Sequence, residues 1–248
     1  MPYIQETAIC GDVIEVRKIN AAVISAKGKG RSQRKAKTSK AKQKINEKNA
    51  ERTLRQLINT NFHPGDLFVT LTYRGDPPDP EEAKKELANF LRRMAREYKK
   101  AGTELKYVAV TEYKAKRIHH HLVMNRIDVQ TISNQWKRGR PDFKVLDQSG
   151  DYAQLASYLI KETARTFKKN PDAQGKRWQR SRNLQKPKIT RKIISAAGFR
   201  KEPRAFKGYL LDKMSVLFNQ WAIGQLIYEY QEYRMIKIKE RKGKQRDG

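Results

Sequence analysis

Only one cysteine, Cys10, occurs in the 248 residues. That excludes an internal disulfide and any zinc finger built on cysteine pairs. No apolar run approaches the roughly 18 residues that a membrane-spanning helix needs. The first residues, Met1-Pro2-Tyr3-Ile4-Gln5-Glu6, carry no basic stretch followed by an apolar one, so no signal peptide is expected. A phosphate-cradling loop of the G-x-x-x-x-G-K-[ST] pattern is missing. The nearest fragment, Gly28-Lys29-Gly30-Arg31-Ser32, has the wrong spacing, so any ATP-driven motor must be a separate protein. Acidic residues are scarce, 26 Asp and Glu against 55 Lys and Arg, for a net charge of +29. A field of that sign and size calls for a polyanionic partner, most simply nucleic acid. The expectation from composition is a cytoplasmic, nucleic-acid-bound protein that does not enter a membrane.

The length suits one domain with appendages or two small domains. Residues 3–25 alternate loosely enough for one or two strands, and residues 27–44 form a basic arm suited to a phosphate backbone. From about Ala41 to Asn59 the apolar spacing turns helical, and Pro64-Gly65 breaks it. Leu67–Tyr73 is β-branched and aromatic and reads as a strand. Glu81–Lys100 follows as an amphipathic helix, acidic in its first turn and basic in its last, as the helix dipole favours. Strands are expected at Glu104–Tyr113, Ile118–Asn125 and Phe143–Leu146, with a short helix from Asp128 to Trp136 and a longer one from Tyr152 to about Lys168. Residues 168–208 read as basic loop, and Leu210 to about Lys239 as an aromatic-rich helix. The resulting expectation is an α+β fold, a central antiparallel sheet with helices on one face, a basic N-terminal arm and a helical C-terminal extension. Its parts are 1–60 (strands, arm and helix), 61–168 (core) and 169–248 (basic loops and C-terminal helix).

Three of the four histidines sit together at His119-His120-His121 inside the apolar run Ile118–Met124. Side chains alternate along a strand, so His119 and His121 share one face and His120 joins Ile118 and Leu122 on the other. Two imidazoles one strand repeat apart can hold a divalent ion if a third ligand comes from a neighbouring strand. Glu112, at the end of the preceding apolar run, is the candidate. A buried histidine is more often a satisfied core residue, and His120 fits that description. His63, before Pro64, reads as a surface turn residue.

Tyr158-Leu159-Ile160-Lys161 falls on the helix that follows. Positions three apart share a helix face, so the Lys161 ammonium can lie beside the Tyr158 phenol. A free phenol ionises near pH 10 and needs a neighbouring cation or metal to act as a nucleophile at neutral pH. Tyr152, six residues upstream, is off register for the same role. Basic residues flank these groups. Lys114, Lys116 and Arg117 lie in the turn before the histidine strand. Lys176, Arg177, Arg180 and Arg182 surround Trp178, a mixture of cations and an aromatic of the kind that grips single strands.

Three blocks in order carry a resemblance. Phe68-Val69-Thr70-Leu71-Thr72-Tyr73, His119-His120-His121 and Tyr158-Leu159-Ile160-Lys161 together resemble the three motifs of the HUH endonucleases, and among them the rolling-circle replication initiators of plasmids, phages and related mobile elements. The likeness covers about residues 66–165, and His120 stands where the family usually has an aliphatic residue. It implies the HUH- and RRM-like fold and a metal site of His119, His121 and Glu112 holding Mn2+ or Mg2+. Tyr158 would be the nucleophile, giving a 5′-phosphotyrosine and a free 3′-OH, with Lys161 positioning the phosphate. Gln154 stands one turn before Tyr158, so a single-tyrosine enzyme is implied. The substrate would be single-stranded or melted origin DNA in the cytoplasm, on the nucleoid, with a separate host helicase. A relaxase or a single-strand transposase would use the same chemistry. A non-catalytic protein binding DNA or RNA is the alternative from another class.

Overall fold

The computed structural model describes residues 2–20, 40–76, 78–114, 117–169, 178–196, 198–223 and 226–239. Of the expected features, residues 27–39 of the basic arm, Lys116, Lys176, Arg177 and the basic tail from 240 onward lie outside the described residues. The chain divides into two units: Ala36–Lys186, and Met1–Lys35 together with Pro187–Gly248.

The unit Ala36–Lys186 is built around the strand that the β-branched run Leu67–Thr72 forms, β3 when numbered along the chain. It lies between β5 (Arg117–Met124) and β6 (Pro141–Val145); β4 (Tyr107–Lys114) and the two-residue β7 (Gln179–Arg180) complete an antiparallel sheet of order β6-β3-β5-β4-β7. Pro141 is tolerated because β6 is an edge strand. Helix α2 (Pro80–Lys100) begins where Asp79 accepts hydrogen bonds from the Glu81 and Glu82 amides, with Pro80 in its first turn. It buries Leu87, Phe90, Met94 and Tyr98 against Leu67, Val69, Leu71, Leu122 and Met124. Helix α3 (Val129–Gln135), capped by Asp128, adds Ile132, and Trp136 follows.

The opposite face is also covered. Helices α1 (Lys40–Asn61) and α4 (Ala153–Lys169) pack Leu54, Ile58, Phe62, Leu159 and Ile160 against Val108, Val110 and Val123. Buried Asn59 ties the two together: its Nδ2 donates to Asp151 at 3.1 Å and its Oδ1 accepts from the Tyr152 amide at 2.9 Å. The α+β class and the antiparallel sheet are as expected. The single helical layer is not, because Val108, Val110 and Val123 alternate with Ala109, Leu122 and Met124 and make both faces apolar.

In the other unit, β1 (Pro2–Cys10) and β2 (Val13–Asn20) form a hairpin closed by Gly11-Asp12. Gly11, with φ 61°, supplies the left-handed conformation that so tight a turn requires. β8 (Lys188–Ser195) adds to β1, and β10 (Leu226–Lys237) to β2, with β9 (Tyr209–Ile223) outermost, giving the order β8-β1-β2-β10-β9. Buried Glu6 accepts from Arg17 and Arg191, each at 2.8 Å, and so stitches three strands. The helix expected over Leu210–Lys239 is therefore a long β-hairpin, and the basic loop expected at 168–208 contains β7 and β8. The physical reason is visible in β10: Glu229, Gln231, Tyr233 and Met235 are buried while the residues between them are half-buried. Pairing to β2 rewards that period of two more than a lone helix would be rewarded.

Candidate active site

Strand register brings the chemical groups together. Glu112 on β4 and Thr72 on β3 flank His119 on β5 in one row, and Val110 and Thr70 flank His121 in the next but one. Side chains at these positions point to the α1 and α4 side of the sheet, opposite His120. Glu112 and His121 are buried, at 2% and 4% exposure, and His119 is half-buried. The Glu112 Oε2 and His121 Nε2 atoms lie 3.0 Å apart. On the other side of the ring, His121 Nδ1 is 3.2 Å from the Thr70 hydroxyl.

One ligand atom from each of Glu112, His119 and His121 lies within 4.8 Å of the others. Donors about 2.0–2.2 Å from a common ion lie about 3 Å apart when cis and at most about 4.4 Å apart when trans, so side-chain shifts of about 0.5 to 2 Å close the set on a divalent ion. The donor chemistry, two imidazoles and a carboxylate, is that of a divalent-metal site. Burial supports the same reading, since a carboxylate held away from water needs a compensating cation.

Tyr158 reaches this cluster from α4. Its hydroxyl is 3.4 Å from His121 Nε2, and its ring stands edge-on to His121 with centroids 5.5 Å apart. Phe68 on β3 completes a triangle, stacked on His121 at 5.8 Å and perpendicular to Tyr158 at 6.3 Å. Tyr158 keeps 39% of its surface exposed, unlike the buried Glu112 and His121 beside it. Tyr152 does not: it is 4% exposed, packs in the core between α1 and α4, and donates its hydroxyl to the Asp147 carbonyl at 3.4 Å.

His120 takes the core position that strand alternation assigns it. It is fully buried, its Nε2 is 2.7 Å from the Tyr73 hydroxyl and its Nδ1 is 2.9 Å from that of Thr111. Burial, aided by His121 and His119, lowers its pKa to about 3, so the ring is neutral at physiological pH. Burial also pushes the Tyr73 phenol up. His63 is exposed in its turn, as expected.

The structure thus brings together four of the residues singled out from sequence: Glu112, His119, His121 and Tyr158. Lys161 is exposed one turn beyond Tyr158, and among the described residues no hydrogen bond or ion pair joins it to the cluster. Arg117 is exposed on the same strand face as His119, two residues before it, and Lys114 ends β4 opposite Arg117. Arg180 and Arg182 are exposed at β7, whereas Trp178 is half-buried and packs against the core between α1 and α4. Thr70 and Phe68 were not singled out for roles at the site. Their sequence signals were membership of the first motif block and phase, since positions 68, 70 and 72 of β3 share one face.

Residues 66–166, the span from β3 into α4, match the family model of the replication-associated protein ORF2/G2P. Over that span the chain is similar to replication initiators, which points to a DNA partner and a part in DNA replication. No curated protein and no solved structure matches the chain. Among the described residues no helix is long and apolar enough to cross a membrane.

Proposed function

We propose that the protein is an HUH-type endonuclease and strand transferase that nicks single-stranded or melted origin DNA and so starts rolling-circle replication. The observation that carries this reading is the Tyr158 hydroxyl at 3.4 Å from His121, itself one member of a Glu112, His119 and His121 ligand set. Tyr158 Oη attacks the scissile phosphorus, a P–O bond to Tyr158 forms, and the bond from phosphorus to the 3′-oxygen breaks. The phenolic proton is lost to solvent, and the departing 3′-oxygen takes up a proton to become the 3′-OH that primes synthesis. The 5′-phosphotyrosine keeps the ester bond for rejoining.

When bound at Glu112, His119 and His121, Mn2+ or Mg2+ supplies Lewis-acid polarisation of the phosphate. Thr70 holds the His121 ring in place for that ligation, and Phe68 limits the swing of the Tyr158 ring. Lys161 steadies a phosphate oxygen. Lys114, Lys116 and Arg117 hold the backbone beside the nick, and Lys176, Arg177, Trp178, Arg180 and Arg182 contribute further contacts to the strand. Gln154 leaves a single nucleophile, as a one-tyrosine initiator needs. Unwinding falls to a separate helicase, and the protein acts in the cytoplasm on DNA.

The test is a covalent-adduct assay on a denaturing gel, with single-stranded DNA from the protein's own origin and either Mn2+ or EDTA. A metal-dependent shifted band that disappears in Tyr158→Phe is the expected result. A band that survives Tyr158→Phe removes Tyr158 as nucleophile. Intact DNA binding with no band under any condition refutes the enzyme and leaves a binding protein.

A further inference from the structure

On the face of the sheet away from His119 and His121, α2 and the edge strand β7 leave an open groove of about 690 Å3. That size is ordinary for a ligand site. Its floor is apolar: Leu91 and Ala95 from α2, and Leu105 and half-buried Tyr107 at the start of β4. Its rim is cationic. Arg92 and Lys99 stand on the α2 side and Arg182 follows β7, all three exposed. Glu104 is the one carboxylate in the lining, and Asn183 donates to it at 3.0 Å.

Exposed cations alone are commonplace on a chain of net charge +29. What distinguishes this place is an apolar floor beneath them, which no described residue covers. A flat apolar surface under a ring of positive charge is the arrangement that takes a nucleobase by stacking while its phosphates meet the cations. Apart from Arg182, already assigned to contact with the strand, nothing in the proposed nicking chemistry uses it, for it lies on the face of the sheet away from His119 and His121. The two sites are still linked by one strand. Tyr107 and Glu112 are five residues apart on β4, about 17 Å at strand rise. Among the described residues, Gln179–Ser181 pairs with Tyr107, Val108 and Ala109 along the outer edge of β4, the Ser181 amide donating to the Tyr107 carbonyl at 3.0 Å.

We propose that this groove is a second contact for single-stranded DNA, seating a base on Leu91, Ala95 and Tyr107 and its phosphates on Arg92, Lys99 and Arg182. The inference rests on the reading that the protein acts on single-stranded DNA. It adds a place where the strand is held at a distance from the nick, so that a nicked end stays bound while Tyr158 is occupied.

The experiment is fluorescence anisotropy of the full chain with a labelled oligothymidylate in EDTA, over a salt series. Three variants are compared: Arg92→Ala/Lys99→Ala/Arg182→Ala; Ala95→Trp, which fills the floor without changing charge; and Lys84→Ala/Lys85→Ala/Lys137→Ala, which removes the same charge from exposed positions outside the groove. Both groove variants should weaken binding tenfold or more. The triple groove variant should also flatten the slope of log affinity against log salt by about 2, at about 0.7 per phosphate contact for single strands. The proposal is overturned if the groove triple loses no more affinity than the control triple. It is equally overturned if Ala95→Trp, with an unchanged thermal melt, binds as the wild type does. A wild-type chain that fails to bind the oligonucleotide sinks both the groove and the nicking function. Groove effects that hold while no Tyr158 adduct forms leave the groove standing and refute only the chemistry.

Discussion

Replacing Thr70 by valine tests how the histidine site is held. Valine keeps the shape and the β-branched fit to β3 and removes only the hydroxyl that lies 3.2 Å from His121 Nδ1. With His121 Nε2 turned toward Glu112, ligation through Nε2 requires the proton on Nδ1, and Thr70 Oγ1 accepts it. Without that acceptor the Nδ1–H is left in a site where His121 is only 4% exposed. An unpaired buried donor costs about 1–3 kcal/mol, and loss of a partner behind a metal-bound histidine weakens affinity about 10- to 100-fold. At about 1.4 kcal/mol per tenfold, the two figures agree on a weakening of about 1.4 to 2.8 kcal/mol. Isothermal titration with Mn2+ reads this directly, without DNA or turnover. Thr70→Ser should restore most of the affinity, because the hydroxyl returns. An unchanged Kd in Thr70→Val would refute the reasoning, as would a serine variant as weak as the valine one, which would mean that the methyl group mattered instead.

Other perturbations separate roles that adjoin in sequence. Gly139→Ala places a Cβ 2.1 Å from the Thr72 carbonyl oxygen, so the backbone beside β3 must move; urea unfolding should show a loss of about 1–3 kcal/mol. His120 is neutral when folded, with a pKa of about 3 against 6.5 in the unfolded chain, so the unfolded state takes up the proton first. Its stability is complete above about pH 6.5 and is lost as pH falls toward 3, amounting to about 2 kcal/mol by pH 5. Urea unfolding of the wild type in EDTA, set against His120→Gln, should show that acid-dependent slope in the wild type only; parallel pH profiles would contradict the assignment. Tyr152→Phe should leave adduct formation intact while Tyr158→Phe abolishes it, since Tyr152 is buried in the core with its hydroxyl donated to the Asp147 carbonyl.

The core of the unit Ala36–Lys186 was legible because its signals are local. Asp79-Pro80-Glu81-Glu82 marks a helix start by its own chemistry, and Leu67–Thr72 is β-branched along its length. Alternation on β5 was enough to separate His119 and His121 from His120, and the structure keeps that division. Partners across strands were less visible. Nothing in Thr70 announces His121, because register between β3 and β5 depends on residues about fifty positions apart. The C-terminal hairpin misled for a related reason. Phe218, Trp221 and Tyr228 fall at helical spacing, and pairing of β10 with β2, more than two hundred positions away, overrides it. The apolar character of both faces around Val108–Val110 was readable in principle, as a continuous run rather than an alternating one.

The sheet of β1 and β2 has a further consequence, in the order of events at the ribosome. β1 and β2 emerge first, but their neighbours β8 and β10 begin only at Lys188 and Leu226. At about 5–20 residues per second, roughly 10–30 s pass between completion of the hairpin at Asn20 and the arrival of β8. During that interval the unit from Ala36 to Lys186 is synthesised whole, with every strand it needs. The nascent chain therefore carries a finished α+β body and, ahead of it, a hairpin with two unpaired edges, Ile9 and Ile14 among its apolar residues. Open edges of this kind invite pairing with foreign strands. The slow step in biogenesis is then the return of the last strands to the first, and faults in assembly should collect there while the histidine site is already formed.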